Sequence, residues 1–226
     1  MKFLWQQIPS TIISEIFSSA PNFDGVVLDT EHSPYNEETL FSCIQVVKLS
    51  GKTCFVRLPY LDKSRAKICM DAGCDGLIFS TVETVKQSKE IHSFCRYPSQ
   101  FGSRGQGLVR ENGWGVRELG KRNILLIAQI ETAVGVYNLH EIEKQCPFDR
   151  YMIGPYDLSA SLGCVGDFES DKYVRAIDEI KSIVKPHLLG IHIPKEVEKN
   201  LKNYDDFGFT ALGMDTTFLI DCIGEL

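Results

Sequence analysis

At 226 residues the chain fits one domain better than two, against roughly 100–200 residues per domain, and a core of that size needs no disulfide or metal staple. Its 43% hydrophobic and 24% charged residues exclude a disordered, collagen-like or coiled-coil protein. Lys and Arg number 24 against 30 Asp and Glu, and the net charge of −6 argues against a basic face for duplex, so no nucleic-acid partner is expected.

The first residues, Met1-Lys2-Phe3-Leu4-Trp5-Gln6-Gln7, turn polar too early for a signal peptide. No run approaches the roughly 18 apolar residues of a membrane span, so a cytoplasmic protein without membrane contact is expected. Phe3-Leu4-Trp5 reads as a short first strand and residues 10–19 as a helix. Strands over 25–29, 54–58 and 76–80 then alternate with helices over 37–50, 63–72 and 85–95. Residues 97–120 break this rhythm with a long glycine-rich loop that carries Arg104 and Arg110, and loops of that length are usually functional or disordered. The alternation resumes with strands over 124–130, 151–153, 188–193 and 211–214, interleaved with helices over 136–145, 171–184 and 196–204. Short β-branched runs separated by amphipathic stretches are the pattern of an α/β fold with a parallel sheet. This number of units fits a (β/α)8 TIM barrel formed by one domain over residues 1–226. A doubly wound sheet usually carries a Gly-rich turn after its first strand, and none follows Trp5 or Asp29. The 8 cysteines are scattered, mostly in apolar stretches and never as C-x-x-C, and read as free thiols.

In a barrel, functional groups lie where strands end at the C-terminal face. Asp29-Thr30-Glu31-His32, Arg57-Leu58-Pro59, Gln129-Ile130-Glu131-Thr132 and Gly154-Pro155-Tyr156-Asp157 end the second, third, fifth and sixth strands, and the eighth ends near Asp215. Charges after strands also occur in any solvated loop. These segments belong to longer motifs: Phe23-Asp24-Gly25, Asp29-x-Glu31-His32-Ser33-Pro34, Val56-Arg57-Leu58-Pro59 and Asp71-Ala72-Gly73-Cys74-Asp75-Gly76. Gln129-Ile130-Glu131-Thr132 follows, then Gly154-Pro155-Tyr156-Asp157-Leu158-Ser159-Ala160-Ser161-Leu162-Gly163. In these motifs and their order the sequence resembles the HpcH/HpaI aldolases, metal-dependent class II pyruvate aldolases of the phosphoenolpyruvate/pyruvate barrel superfamily. Tyr97-Pro98 and Arg104-Gly105-Gln106-Gly107 resemble the family's Tyr-Pro-Pro…Arg-Gly-x-Gly loop, with Ser99 for the second proline and one additional residue.

The resemblance implies a lyase that reversibly cleaves a 4-hydroxy-2-oxo acid, such as a 2-keto-3-deoxy sugar acid, to pyruvate and a small hydroxylated aldehyde. It implies that Glu131 and Asp157 bind a divalent metal, Mg²⁺ or Mn²⁺ with Co²⁺ as a further candidate; such ions favour carboxylate oxygens and leave positions for substrate and water. Arg57 is implied at the keto oxygen, where a permanently charged guanidinium suits developing negative charge. His32 is implied as the proton-transfer group, oriented by Asp29, with Asp71 a further acid near that network; from the sequence alone Asp71 reads equally well as an exposed helix residue. Gln129 is expected to support the site, and the backbone of Gly154, Pro155, Tyr156 and Asp157 to receive the substrate carboxylate. His187 and His192 are expected to be structural, since a strand sends side chains at odd separations to opposite faces. Glu83 reads as a loop residue, and Lys195 is the one lysine placed to suggest a Schiff-base aldolase. Two other readings are a lyase acting on a CoA thioester, for whose additional C-terminal segments the chain has no room, and a barrel that binds a 2-oxo acid without turnover. Against the roughly 250 residues typical of the barrel, residues 216–226 are too few for the long final helix of the larger aldolases. A truncated final helix is therefore expected, with a homo-oligomer held by other surfaces, a trimer or a looser assembly.

Overall fold

The β-branched and aromatic runs form strands that are buried along nearly their whole length, as strands covered on both sides must be. The structure is a computed structural model and describes residues 1–118, 123–195 and 201–225. Strands β1 (Lys2–Gln6), β2 (Gly25–Asp29), β3 (Thr53–Leu58), β4 (Gly76–Phe79), β5 (Leu125–Ile130), β6 (Arg150–Ile153), β7 (Leu189–Ile193) and β8 (Phe209–Leu212) close into one barrel in sequence order. Every neighbouring pair is parallel, and Lys2 opposite Thr210 with Phe3 opposite Ala211 closes the ring. The helices are α1 (Thr11–Ser19), α2 (Glu37–Leu49), α3 (Lys63–Ala72), α4 (Val85–Cys95), α5 (Ala133–Gln145), α6 (Pro155–Ser161), α7 (Asp171–Ile183) and α8 (Asp215–Gly224). This is the (β/α)8 barrel expected from the sequence. None of the described helices is long and apolar enough to cross a membrane.

Local chemistry sets where each helix begins. Asn36, Asp62, Thr84, Thr132 and Ser170 each accept a hydrogen bond from the backbone three residues on, which satisfies a donor left open at a helix start. Gly73, at φ +88°, ends α3 in the left-handed conformation that a side chain disfavours. Two layers of core follow from strand alternation. Val56, Leu77, Leu126 and Ile191 face the helices, while Phe3, Val27, Phe55, Ile78, Ile127, Met152 and Phe209 fill the barrel. Phe3 stacks on Phe55 at 4.6 Å, and Phe209 meets both edge-on. These side chains pack the barrel interior below the mouth.

The structure differs from the sequence expectation in a few places, among them the start of α5, which lies at Ala133 instead of 136. The last strand lies at Phe209–Leu212 instead of 211–214, because Gly213 turns away at φ +66° as its N–H bonds to Ile193 O. The short α6 was not anticipated: two turns after a proline show no 3.6-residue period. Of the helix expected over 196–204, residues 196–200 lie outside the described residues, and Lys202–Tyr204 forms a 3-10 turn. The short final helix takes the form of α8, which contacts β1.

Candidate active site

Alternation along each strand carries the interior from apolar at the bottom to polar at the mouth. Phe3 and Trp5 on β1 lead to Gln7, Val27 on β2 to Asp29, Phe55 on β3 to Arg57, Ile127 on β5 to Gln129 and Glu131, and Met152 on β6 to Gly154. The mouth encloses a cavity of about 520 Å³ lined by His32, Arg57, Gln129, Asp157, His192 and the 154–156 backbone segment, among others. Lys195 lines it too.

Asp29 and Arg57 stand directly opposite each other in the β2–β3 register. Arg57 Nε and Nη2 donate to the two Asp29 oxygens at 2.9 and 2.6 Å, and both side chains are buried. Trp5 Nε1 and Gln7 Nε2 add hydrogen bonds to Asp29. Burial pushes the Asp29 carboxyl up, but Arg57, Gln7 and the Glu31 N–H outweigh it and hold its pKa below the usual value. Burial likewise disfavours the Arg57 charge, and Asp29, Glu31 and Glu131 more than restore it. Glu31 reaches Arg57 Nη1 at 2.9 Å. The imidazole of His32 is mostly exposed, with Nε2 3.8 Å from Glu31. The expectation that Asp29 orients this ring is corrected: the Asp29 carboxylate meets only the His32 backbone N–H, at 3.3 Å, because the strand register gives it to Arg57.

Trp5 lies beneath Arg57, 4.9 Å from its guanidinium carbon, and stacks on His192 at 4.2 Å and 12°. His192 was expected to be structural from its spacing to His187, yet it lines the cavity. The relevant signal is its parity with Gly190, whose missing side chain leaves room for the Phe209 ring. His187 sits in the turn before β7, at the other end of the strand. Burial lowers the His192 pKa to about 4, with the Arg57 charge adding to the effect and the bond to Gly213 O opposing it. A histidine kept neutral in the fold costs stability once the unfolded chain takes up its proton. Melting temperature should therefore fall between about pH 6.5 and 4, where unfolded histidine titrates first, and His192→Phe should fall less over that range in scanning calorimetry.

Glu131 is buried, and Thr81 donates to its Oε1 through both backbone N–H (2.6 Å) and Oγ1 (2.7 Å). Gln129 Nε2 donates to Oε2. Thr81 adopts φ +54°, a conformation that costs a β-branched residue on the order of 1–3 kcal/mol. Burial raises the Glu131 pKa, the Thr81 bonds oppose it, and the charges of Glu31 and Asp157 raise it further. A Cβ on Gly154 would stand 2.7 Å from Glu131 Oε2, so this oxygen faces the opening of α6, in whose first turn Asp157 lies. Gln129 Oε1 is buried here without a hydrogen-bond partner. An electron-rich set of this kind, with an orphaned acceptor, fits a cation. Among the described residues no group of three or more His, Cys, Asp or Glu could hold a metal; a pair of carboxylates suits an ion that keeps water or substrate in its shell.

Other candidates lie elsewhere. Asp71 is in the last turn of α3, which runs opposite to the strands and ends at the bottom of the barrel; it pairs with Arg104 at 3.1 Å and Lys67 at 3.6 Å. Its expected place near the proton-transfer network is corrected for this barrel's own mouth. Arg104 also bonds to Glu111 and lies over the Tyr97 ring, so this part of the long loop is fastened to α3. Glu83 accepts from Thr132 Oγ1, and Asp215 from the backbone of Gln7 and Ile8. Sequence reasoning missed Thr81, an uncharged residue whose only signal is its place after a strand.

The family described as HpcH/HpaI aldolase/citrate lyase matches residues 3–221. A 5-keto-4-deoxy-D-glucarate aldolase from Klebsiella pneumoniae is 31% identical over 218 residues, 93% of this chain and 84% of that protein. The crystal structure of an HpcH/HpaI aldolase/citrate lyase family protein from Burkholderia cenocepacia superposes with a TM-score of 0.89 at 24% identity, covering 100% of this chain and 92% of that one. A citrate lyase beta subunit from M. tuberculosis, complexed with oxaloacetate and magnesium, matches with a TM-score of 0.62 at 16% identity, over 94% and 90% of the two chains. By the match over residues 3–221 and the 31% identity to the Klebsiella aldolase, the chain belongs to the HpcH/HpaI aldolase/citrate lyase family.

Proposed function

We propose that this protein is a divalent-metal-dependent aldolase that reversibly cleaves a 4-hydroxy-2-oxo acid to pyruvate and an aldehyde. The observation that carries the reading is one cavity lined by Arg57, which buried Asp29 holds, and by Gln129 and Asp157, with the Glu131 carboxylate bonded to Gln129 Nε2 behind that wall. Glu131 and Asp157 would hold the metal, Mg²⁺, Mn²⁺ or Co²⁺, which supplies a Lewis acid when bound. Arg57, fixed in place by Asp29, faces the keto oxygen and stabilises the negative charge that reaches it as the C3–C4 bond breaks. His32 at the rim takes the C4 hydroxyl proton as the aldehyde forms and returns it in synthesis. The backbone of residues 154–157 receives the pyruvyl carboxylate. The Klebsiella relative acts on a keto-deoxy sugar acid, as its name says, which supports a hydroxylated aldehyde as the second product.

Incubation with pyruvate in deuterated water tests the proposal. Metal-dependent exchange of the methyl protons, read by mass spectrometry, is expected, and no exchange with Mg²⁺, Mn²⁺ or Co²⁺ overturns it. A His32→Ala variant separates the enzyme from a barrel that only binds 2-oxo acids: cleavage should be lost while metal and pyruvate still bind. A panel of aldehydes with pyruvate then identifies the partner by product mass.

A further inference from the structure

We infer that Thr81 sets the metal preference of this site by making Glu131 a one-oxygen ligand. The inference deepens the metal reading above and rests on it. Both donors of Thr81 converge on the same carboxylate oxygen, Oε1, at 2.6 and 2.7 Å. A carboxylate oxygen that already accepts two short hydrogen bonds has little left to offer a cation. The other oxygen, Oε2, faces Gly154 and the first turn of α6, where Asp157 lies. The division of labour is therefore built into the fold: Oε1 takes both Thr81 bonds, whereas Oε2 takes a single bond, from Gln129 Nε2, and keeps an acceptor position for the ion.

Thr81 is held in this role from both sides. Ser80 Oγ donates to Leu58 O on β3 and accepts from Tyr60 N–H, while Val82 N–H bonds to Gln129 O on β5. Between these anchors Thr81 takes its left-handed conformation, φ +54°, which turns backbone N–H and side-chain hydroxyl toward one point. A loop that only had to connect β4 to α4 has no need of either feature.

The chemical consequence is selectivity. Calcium takes six to eight oxygens and readily binds a carboxylate through both, whereas magnesium demands near-octahedral geometry with one oxygen from each carboxylate, and manganese shares the octahedral oxygen preference. Confining Glu131 to Oε2 disfavours calcium. Removing the Thr81 hydroxyl leaves Oε1 with the Thr81 N–H bond alone and reopens one of its acceptor positions, so that both carboxylate oxygens can reach the ion.

Titration calorimetry of metal-free protein with MnCl₂ and with CaCl₂ tests this, with melting curves to confirm folding. Thr81→Val should lower the ratio of manganese to calcium affinity about tenfold, the scale of one charge-assisted hydrogen bond. Thr81→Ser, which keeps the hydroxyl, should stay within about threefold of the parent. Thr81→Ala carries the same expectation as valine and serves if the valine variant does not fold. An unchanged ratio in the valine or alanine variant overturns the inference, as does a serine variant that falls as far as they do. A parent protein that binds neither ion overturns the metal reading itself and this inference with it. A parent that binds manganese with ratios indifferent to Thr81 leaves the metal reading standing and removes only the role given to Thr81.

Discussion

Arg57→Met should lower folding stability by about 3 kcal/mol and abolish detectable cleavage. The stability loss comes from Asp29, which is fully buried and would keep its charge without its partner; removing one member of a buried pair costs about 3–5 kcal/mol. The lower figure applies because Trp5, Gln7 and the Glu31 and His32 N–H groups still bond to the carboxylate. Pairing with Arg57 holds the Asp29 pKa below its unfolded value, so the stabilisation is complete above that unfolded value and is lost as pH falls through the folded one. In the variant the sign reverses: burial, the largest influence on the carboxyl, outweighs the donors that remain and raises it, and the protein loses stability as pH rises. The gap between parent and variant in urea denaturation should therefore be wide at pH 7 and narrow toward pH 4. A gap that does not change with pH would show that Asp29 is not the source. For turnover, loss of a fixed charge-stabilising donor costs about 100- to 1,000-fold, and displacement of the pocket wall adds to it.

Gly154→Ala should leave a folded barrel that no longer exchanges pyruvate protons. Gly154 has φ −96°, which alanine adopts without strain, so the effect is steric alone. The added methyl would meet Glu131 Oε2 at 2.7 Å and both Gln129 Nε2 and Glu131 Cβ at 2.8 Å. Some of these atoms must move, at a cost of about 1–3 kcal/mol, and the atom nearest the methyl is the oxygen assigned to the metal. Displacement of about 1 Å in a reacting group can cost about 100-fold in rate. Exchange and manganese binding should fall together by at least about that factor, while the melting curve stays cooperative. Retained manganese affinity would contradict the assignment of Oε2.

Much of this was legible in the sequence because β-branched runs and the chemistry at their ends are local signals. Lys63–Ala72 and Val85–Cys95 form helices over the spans that their amphipathic pattern predicts. The partners of side chains were less legible, since they depend on register between strands. Asp29 lies three residues from His32 in sequence but opposite Arg57 in the sheet, and the sheet decides. Asp71 belongs to a motif that resembles the family's, yet the direction of α3 carries it to the far end of the barrel. The distance of His192 from His187 points to a structural role, whereas its parity with Gly190 is what turns it into the mouth. Thr81 shows a further limit, because nothing in a threonine announces a strained backbone.

The two anchors of residues 80–82 join regions that do different chemistry. Ser80 ties to β3, which carries Arg57, and Val82 ties to β5, which carries Glu131 through the adjoining turn. These residues act as a joint that ties the strand of the guanidinium to the strand that leads to the carboxylate. On the proposed function, a substrate whose keto oxygen meets Arg57 and which reaches Glu131 through the metal must fit the separation that this joint holds.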